Sequence, residues 1–244
     1  VAISVFADAN NASGSMNGTG TTHTETLISG TDSLSLTSGR DTNLVGAQAR
    51  GQKVSVDVGR NLTMASQQDS NQYLAKQSSQ SGGFEVPVYG YGNASAYASA
   101  NQQKIRSDFH SVIEQTGIYA GDGGFDIKVG GHTDLTGAVL ASTADADKNR
   151  LATGSLAYRN LANRADYKAT SIGAHVGTRS IVSTVISNAS AGMPLAGNLR
   201  DNERSTTHAA ISPATITIGG QTAGAEQLAG LSRDTDNAAQ ALKP

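Results

Sequence analysis

The stretch "SLSLTSGRDTNLVGAQARGQKVSVDVGRNLTMAS", Ser33 to Ser66, writes one pattern twice. An alternating run, "LSLTSGRD" from Leu34, reaches Gly39 and passes into a second short run, "TNLVGAQ". About 20 residues later "VSVDVGRN" from Val54 reaches Gly59 and passes into "NLTMASQ". Two further segments fall into the same register. "FDIKVGGH" from Phe125 carries Gly130 and continues into "TDLTGAVL", and "ATITIGGQ" from Ala214 carries Gly219. A period near 20 residues marks stacked repeats.

Side chains on a strand point to opposite faces with period two. Leu34, Leu36, Val54, Val56, Val58, Phe125, Ile127, Val129, Ile216 and Ile218 therefore share one face. Ser35, Ser55, Asp57, Asp126, Lys128 and Thr217 take the other. One such pass of chain cannot bury its apolar face alone. Stacking passes about 4.8 Å apart satisfies the backbone groups and makes a slim continuous core. The reading is all-β: a right-handed parallel β-helix, with Gly39, Gly59, Gly130 and Gly219 as corners that exploit glycine's access to positive φ. A β-sandwich also gives short alternating strands, but unrelated sandwich strands have no reason to share a glycine at one position.

Composition agrees with thin layers. Charged residues make up 16% of the 244, against roughly 25% in an average globular domain. Trp is absent, aromatics are 5%, and there are 28 glycines. Net charge is −2 with scattered basic residues, which argues against a nucleic-acid footprint. No run of about 18 apolar residues offers a membrane-spanning helix. The absence of cysteine excludes disulfides and thiolate metal sites. The N-terminus lacks the basic start and apolar stretch of a signal peptide and opens mid-pattern, as expected of a piece of a longer protein.

Long polar stretches separate the alternating runs. A β-helical domain over 1–220 is predicted, with excursions at about 7–26, 67–115 and 144–210. These should be extended β arms pairing as antiparallel ribbons, since structureless loops of that length are uncommon. Alternation in the arms looks poor, which predicts two polar faces, weakly specified register and the lowest local stability. The last segment, 221–244, is Ala-rich. Leu228, Leu231, Ala238 and Leu242 sit near helical spacing, predicting a short terminal helix that leads toward a further domain.

The strings "SGRDTNLVGAQARGQKVSVDVGRNLTMASQQD" and "EQTGIYAGDGGFDIKVGGHTDLTGAVLASTADADKNRL" resemble the haemagglutinin-repeat region of very large two-partner-secreted exoproteins. These include filamentous-haemagglutinin-like adhesins and, more closely, the stick-like effectors of contact-dependent growth inhibition (CDI). The resemblance covers about Thr22 to Lys243. It implies a parent secreted through a dedicated outer-membrane transporter, displayed as a long filament, and carrying a toxin at its C-terminus. It further implies that this segment associates with the target cell's outer membrane during toxin transfer, alongside neighbouring repeat and toxin domains.

Chemistry-bearing residues are few. "GDGGFD", Gly121 to Asp126, departs from calcium-binding nonapeptides at Asp122 and occurs once, so it reads as a glycine-rich corner. His23, His110 and His208 stand shortly before the chain re-enters an alternating run, but share no carboxylate spacing that would complete a metal site. Asp145 and Asp147, two apart in a predicted loop, do not make the cross-cleft carboxyl pair of a glycosidase. No catalytic residue, cofactor or metal is assigned. "GGFEVPVYGYGNASAY" concentrates Phe84, Tyr89, Tyr91 and Tyr97, rings suited to a membrane or partner contact. The favoured reading is a non-catalytic segment acting at a target membrane. An adhesive filament segment, or a carbohydrate-active β-helix, is the alternative.

Overall fold

The computed structural model describes residues 3–178 and 195–243. Residues 179–194 of the third expected excursion lie outside the described residues. The described chain is all-β. Its strands are β1 (Ile3–Thr21), β2 (Thr26–Ser29), β3 (Ser33–Ser38), β4 (Thr42–Val45), β5 (Ala47–Val58), β6 (Leu62–Ala65), β7 (Asp69–Tyr89) and β8 (Ser95–Ser111). They continue with β9 (Gly117–Thr136), β10 (Val139–Ser142), β11 (Arg150–Arg159), β12 (Leu161–Thr178), β13 (Leu195–Thr207), β14 (Ala210–Ile211), β15 (Thr215–Ile218) and β16 (Gln221–Thr222). The chain forms two compact units. One comprises Val1–Thr19, Asn71–Asp108 and Asp166–Asn202; the other comprises Gly20–Ser70, Phe109–Ala165 and Glu203–Pro244.

The larger unit is built from parallel passes. β5 lies in parallel register with β2 and β3 on one side and with β9 on the other. β6 lies likewise between β4 and β9. β9 then pairs in parallel with β10 and β11, which pair with β14 and β15. The sheet is mixed, because β16 turns back antiparallel on β15, and it is not closed.

These registers stack like residues on like. Leu36, Val56, Ile127, Leu151 and Ile216 form one column. Ile28, Ala49, Ile118, Leu140 and Ile211 form a second. Leu44, Met64, Leu135 and Tyr158 form a third. Val54, Val56, Val58, Phe125, Ile127, Val129 and Ile216 are buried in one cluster, with Leu34, Leu36 and Ile218 packed half-buried against it. The half-buried three belong to the first and last passes, which have a parallel neighbour on one side only. Each fully buried Val, Ile, Leu or Phe contributes roughly 1.5–3 kcal/mol relative to exposure.

The glycines act differently from expectation. Of the four predicted corners, only Gly219 has positive φ, at 61°. What Gly59 and Gly130 require is proximity. A β-carbon at Gly59 would collide with the Gly39 carbonyl, and one at Gly130 with the Gly59 carbonyl oxygen. Gly154 continues the line, its absent β-carbon falling 2.7 Å from the Gly131 oxygen. Gly39, at the free end, has nothing within 4 Å of that position. The column is a backbone-on-backbone contact, held by Gly59 N–H donating to Ser38 O at 2.7 Å and Gly131 N–H donating to Arg60 O at 2.7 Å. Gly46 and Gly137, at the ends of β4 and β9, also take positive φ, at 59° and 54°.

Two expectations are corrected. The polar stretch from Ala144 does not leave: after a 3-10 turn at Ala146–Lys148 the chain runs on as β11, paired with both β9 and β15. Asn149 makes this possible, accepting from Phe125 N–H and donating to Pro213 O from a buried position. The terminal helix is also absent. Residues 224–231 form consecutive turns with i to i+3 bonds, such as Leu228 N–H to Ala225 O. Gly224 and left-handed Gly230 bracket too few residues to repay helix nucleation. The tail then runs extended, with Ser232 bridging Ala210 and the Ala238 carbonyl accepting from His208 N–H.

The smaller unit centres on one sheet in the order β1-β7-β8-β12-β13. Cross-strand contacts fix its directions. Ser13 meets Ser78 and Gly18 lies beside Tyr73; Ser81 meets Ser99 and Gln72 meets Asp108. Thr170 donates to Lys104 O while Gly177 faces Tyr97. As one partner's number rises the other's falls, so these neighbours are antiparallel.

Gly130→Ala should lower stability by about 1–3 kcal/mol through overpacking, whereas Gly39→Ala should stay within about 0.5 kcal/mol. Chemical denaturation of the two variants measures the difference.

Candidate interaction surface

Where the long strands rejoin the larger unit, polar side chains are buried and satisfied. Asn163, 1% exposed, donates to Thr207 Oγ1 at 2.9 Å, Ser205 Oγ at 3.1 Å and Gln240 O at 3.2 Å. Its Oδ1 accepts from Val112 N–H and from the Gln68 amide. One side chain thereby ties the beginning of β12 to the ends of β8 and β13 and to the C-terminal tail. Gln115 donates to Gly137 O and His208 O, and Thr116 N–H donates to Ser66 Oγ. Truncating one partner of such a network leaves the others unsatisfied, at about 1–3 kcal/mol each.

Beside it, Glu25 accepts from Thr116 Oγ1 at 3.3 Å, while its own N–H donates to Glu114 Oε2 at 3.2 Å. Burial pushes the Glu25 carboxyl above the usual range; the Thr116 hydrogen bond opposes this, and the Glu114 carboxylate adds to it. His23 pairs with Asp69 at 3.3 Å. Among the described residues no group of three or more His, Asp or Glu is placed to hold a metal. Asp145 and Asp147 are exposed around the 3-10 turn. Asp122 accepts from Thr143 Oγ1, and Gly124 has φ of 72°, as the glycine-rich corner reading requires.

The smaller unit holds the aromatic segment. Phe84, Tyr89, Tyr91 and Tyr97 lie near one end of the sheet and are all exposed, Tyr91 fully so in the turn between β7 and β8. They do not share one patch. Opposite residues of an antiparallel pair lie on one face, and the contacts above give the register. Gly83 sits against both Asp8 and Tyr97, and Tyr97 Oη donates to Asp8 at 2.9 Å. That face also carries Glu85, Ser99 and His175, together with Phe6, Pro87 and Tyr89.

Counting by twos, Phe84 lies on the other face. Ala7 stands opposite Phe84, Val5 opposite Val86, and Ile3 opposite Val88. On the next strands Ala98 stands opposite Val176 and Ala100 opposite Ala174. Both faces of this end carry exposed apolar residues: Val5 is 56% exposed, Phe84 53% and Val176 55% on one, and Phe6 73% and Tyr89 69% on the other. Apolar residues recur every second position over Phe84–Val88, Ala94–Ala100 and Ile172–Val176, mostly as alanine, but Pro87 and Tyr97 fall at the intervening positions, as does Phe6 on β1.

Comparison with known proteins bears on this geometry. Residues 1–83 match the hemagglutinin repeat family. The chain is 44% identical over 243 residues to tRNA nuclease CdiA of Escherichia coli (strain NC101), covering 99% of this chain and 7% of that protein. It is 45% identical to deoxyribonuclease CdiA of Yersinia pseudotuberculosis serotype O:3 (strain YPIII), covering 99% and 22%. With toxin CdiA of Yersinia pestis it shares 45% identity, covering 99% and 7%. The chain resembles CdiA proteins throughout. It spans less than a quarter of the length of these relatives. No solved structure matches it.

Glu25 offers a pH test of the rejoining region. A carboxyl raised on folding contributes stability that is fully present below its unfolded value and is lost as pH rises through the folded one. Glu25→Gln should therefore raise the melting temperature at pH 7 and leave it nearly unchanged near pH 4, as read by calorimetry.

Proposed function

We propose that this chain is a non-catalytic structural segment of a secreted exoprotein of contact-dependent growth inhibition, and that it contacts the target cell's outer membrane while a toxin is passed across. On this reading the parallel passes of the larger unit make a right-handed β-helix within the 1–220 region. The sheet of β1, β7, β8, β12 and β13 is its working arm. The segment 221–244 leads toward a following toxin-bearing region.

One observation carries the non-catalytic part. A relative named for a tRNA nuclease and one named for a deoxyribonuclease are equally similar to this chain along its whole length. Two different activities over one shared segment favour an active site outside it. A relative named a toxin, together with the hemagglutinin repeat match, supports a two-partner secretion transporter as partner of the parent protein and a secreted, cell-surface location. Scattered basic residues and a net charge of −2 speak against nucleic acid as a partner of this segment.

The apolar sheet end supports the membrane part. Exposed apolar faces of more than a few hundred Å² mark interaction surfaces, and rings at its rim suit a lipid headgroup boundary. A strand that crosses a bilayer needs about 9–11 residues and a closed barrel. This open sheet suits surface association, with any insertion requiring rearrangement. The hemagglutinin repeat match favours a second reading, attachment by an adhesive filament.

Flotation with outer-membrane vesicles, together with toxin delivery by the parent protein, separates the two. Val86→Asp should abolish flotation and delivery while cell attachment persists. Unchanged flotation and delivery would contradict the membrane reading, and loss of attachment alone would favour adhesion.

A further inference from the structure

The lysines and arginines of the smaller unit are far apart in sequence, but register gathers them. The cross-strand contacts of β7, β8 and β12 set Lys76 opposite Lys104 and Arg106 opposite Lys168. The Asn202 amide donates to Asp166 at 3.0 Å, which carries the register on to β13 and sets Arg200 opposite Lys168. Opposite residues share a face. These five cations therefore occupy two adjacent rows of the face that carries Phe84, and all five are exposed. Among the described residues none of them makes an ion pair.

The two faces differ sharply in charge. The other face carries Asp8, Glu85 and Asp201, and among the described residues of this unit it holds no lysine or arginine. On the cationic face, Asp108 and Asp166 stand in the next row, where Asp108 accepts from Gln72 and Asp166 from Asn202. In the other direction, from the row of Ser78 and Gln102 to the sheet end, the described residues of this face are all uncharged.

Like charges directly opposite one another destabilise a sheet. Here three such pairs adjoin, Lys76 with Lys104, Arg106 with Lys168, and Lys168 with Arg200. A local rule broken this way marks a functional surface. We propose that this band binds the phosphate groups of an anionic lipid surface. The proposal rests on the membrane reading above and deepens it by naming what the arm meets.

Spacing supports a joint action of the five charges. Strands lie about 4.8 Å apart and rows about 6.7 Å apart, so the band measures about 15 by 7 Å. Its row separation is within the Debye length of about 8 Å at physiological salt. The chain as a whole carries −2, so the attraction is directional. It turns the cationic face toward the lipid and the acidic face away.

Nucleic acid also offers phosphates. Proteins that bind single strands interleave their cations with aromatic rings on which bases stack. Tyr73 and Tyr167 lie on the opposite face, and the cations are accompanied instead by Leu74 and by Ile172, which is 54% exposed. Apolar side chains beside lysine and arginine suit a headgroup boundary.

Co-sedimentation with vesicles tests the proposal, using pure phosphatidylcholine and an equimolar mixture with phosphatidylglycerol. Binding to the mixture alone, weakened by salt, is expected. Lys104→Gln with Arg106→Gln should reduce it about 25-fold, at about fivefold per cation. Lys53→Gln with Lys128→Gln removes the same charge from the larger unit and should leave binding within about twofold. Circular dichroism checks that both variants keep their strands. Equal binding to both compositions, or equal loss in both variants, would overturn the proposal and leave the membrane reading standing. Tighter binding to a single-stranded oligonucleotide than to the mixture would overturn it in favour of nucleic acid. Binding to the mixture without flotation on outer-membrane vesicles would keep the band as a lipid-phosphate site and overturn the membrane reading. Binding to no vesicle of any kind would overturn both.

Discussion

In the larger unit backbone lies directly on backbone along the line Gly39, Gly59, Gly130 and Gly154. Successive passes meet there with no room for a β-carbon, and the parallel register is pinned at that line. Everything apolar follows from it. Once Gly59 sits over Gly39 and Gly130 over Gly59, Val56 must lie over Leu36 and Ile127 over Val56. A slip of one residue would turn each of these side chains to the opposite face. The slim core is thus specified twice, by side-chain period and by close carbonyl contact.

The smaller unit is held by other means. Its strands carry many small and polar residues, and its large apolar residues are exposed on both faces, so little of its stability comes from burial within the chain. Within the larger unit, Asn163, Gln115 and Thr116 tie neighbouring strand ends together by buried hydrogen bonds. Such networks rigidify what they join.

The stacked passes were legible because their apolar residues are Leu, Val and Ile at strict alternation, with a glycine at one shared position. The role of those glycines was half legible. The sequence marks where a side chain is excluded, but dihedral freedom and close contact exclude it alike. The polar stretch from Ala144 read as a departure because its one organising residue, Asn149, bonds to Phe125 and Pro213, both distant in sequence. The terminal helix was misread from the spacing of Leu228 and Leu231, which reflects packing of turns against the last pass. The row of Val5, Val86, Ala98 and Val176 is not visible strand by strand, because only register brings these residues side by side.

The account rests on the parallel register between β5 and β9, and the chain's lack of cysteine makes that directly measurable. Asp57 and Lys128 are exposed and paired across the two strands, at the roughly 4.8 Å spacing that a disulfide can bridge. The double variant Asp57→Cys, Lys128→Cys should close to a single intramolecular disulfide under mild oxidation. The pair Asp57→Cys, Asp126→Cys, two residues out of register and about 8 Å apart, should stay reduced. Equal cross-linking of both pairs, or preference for the second, would contradict the stacked register and the core built on it.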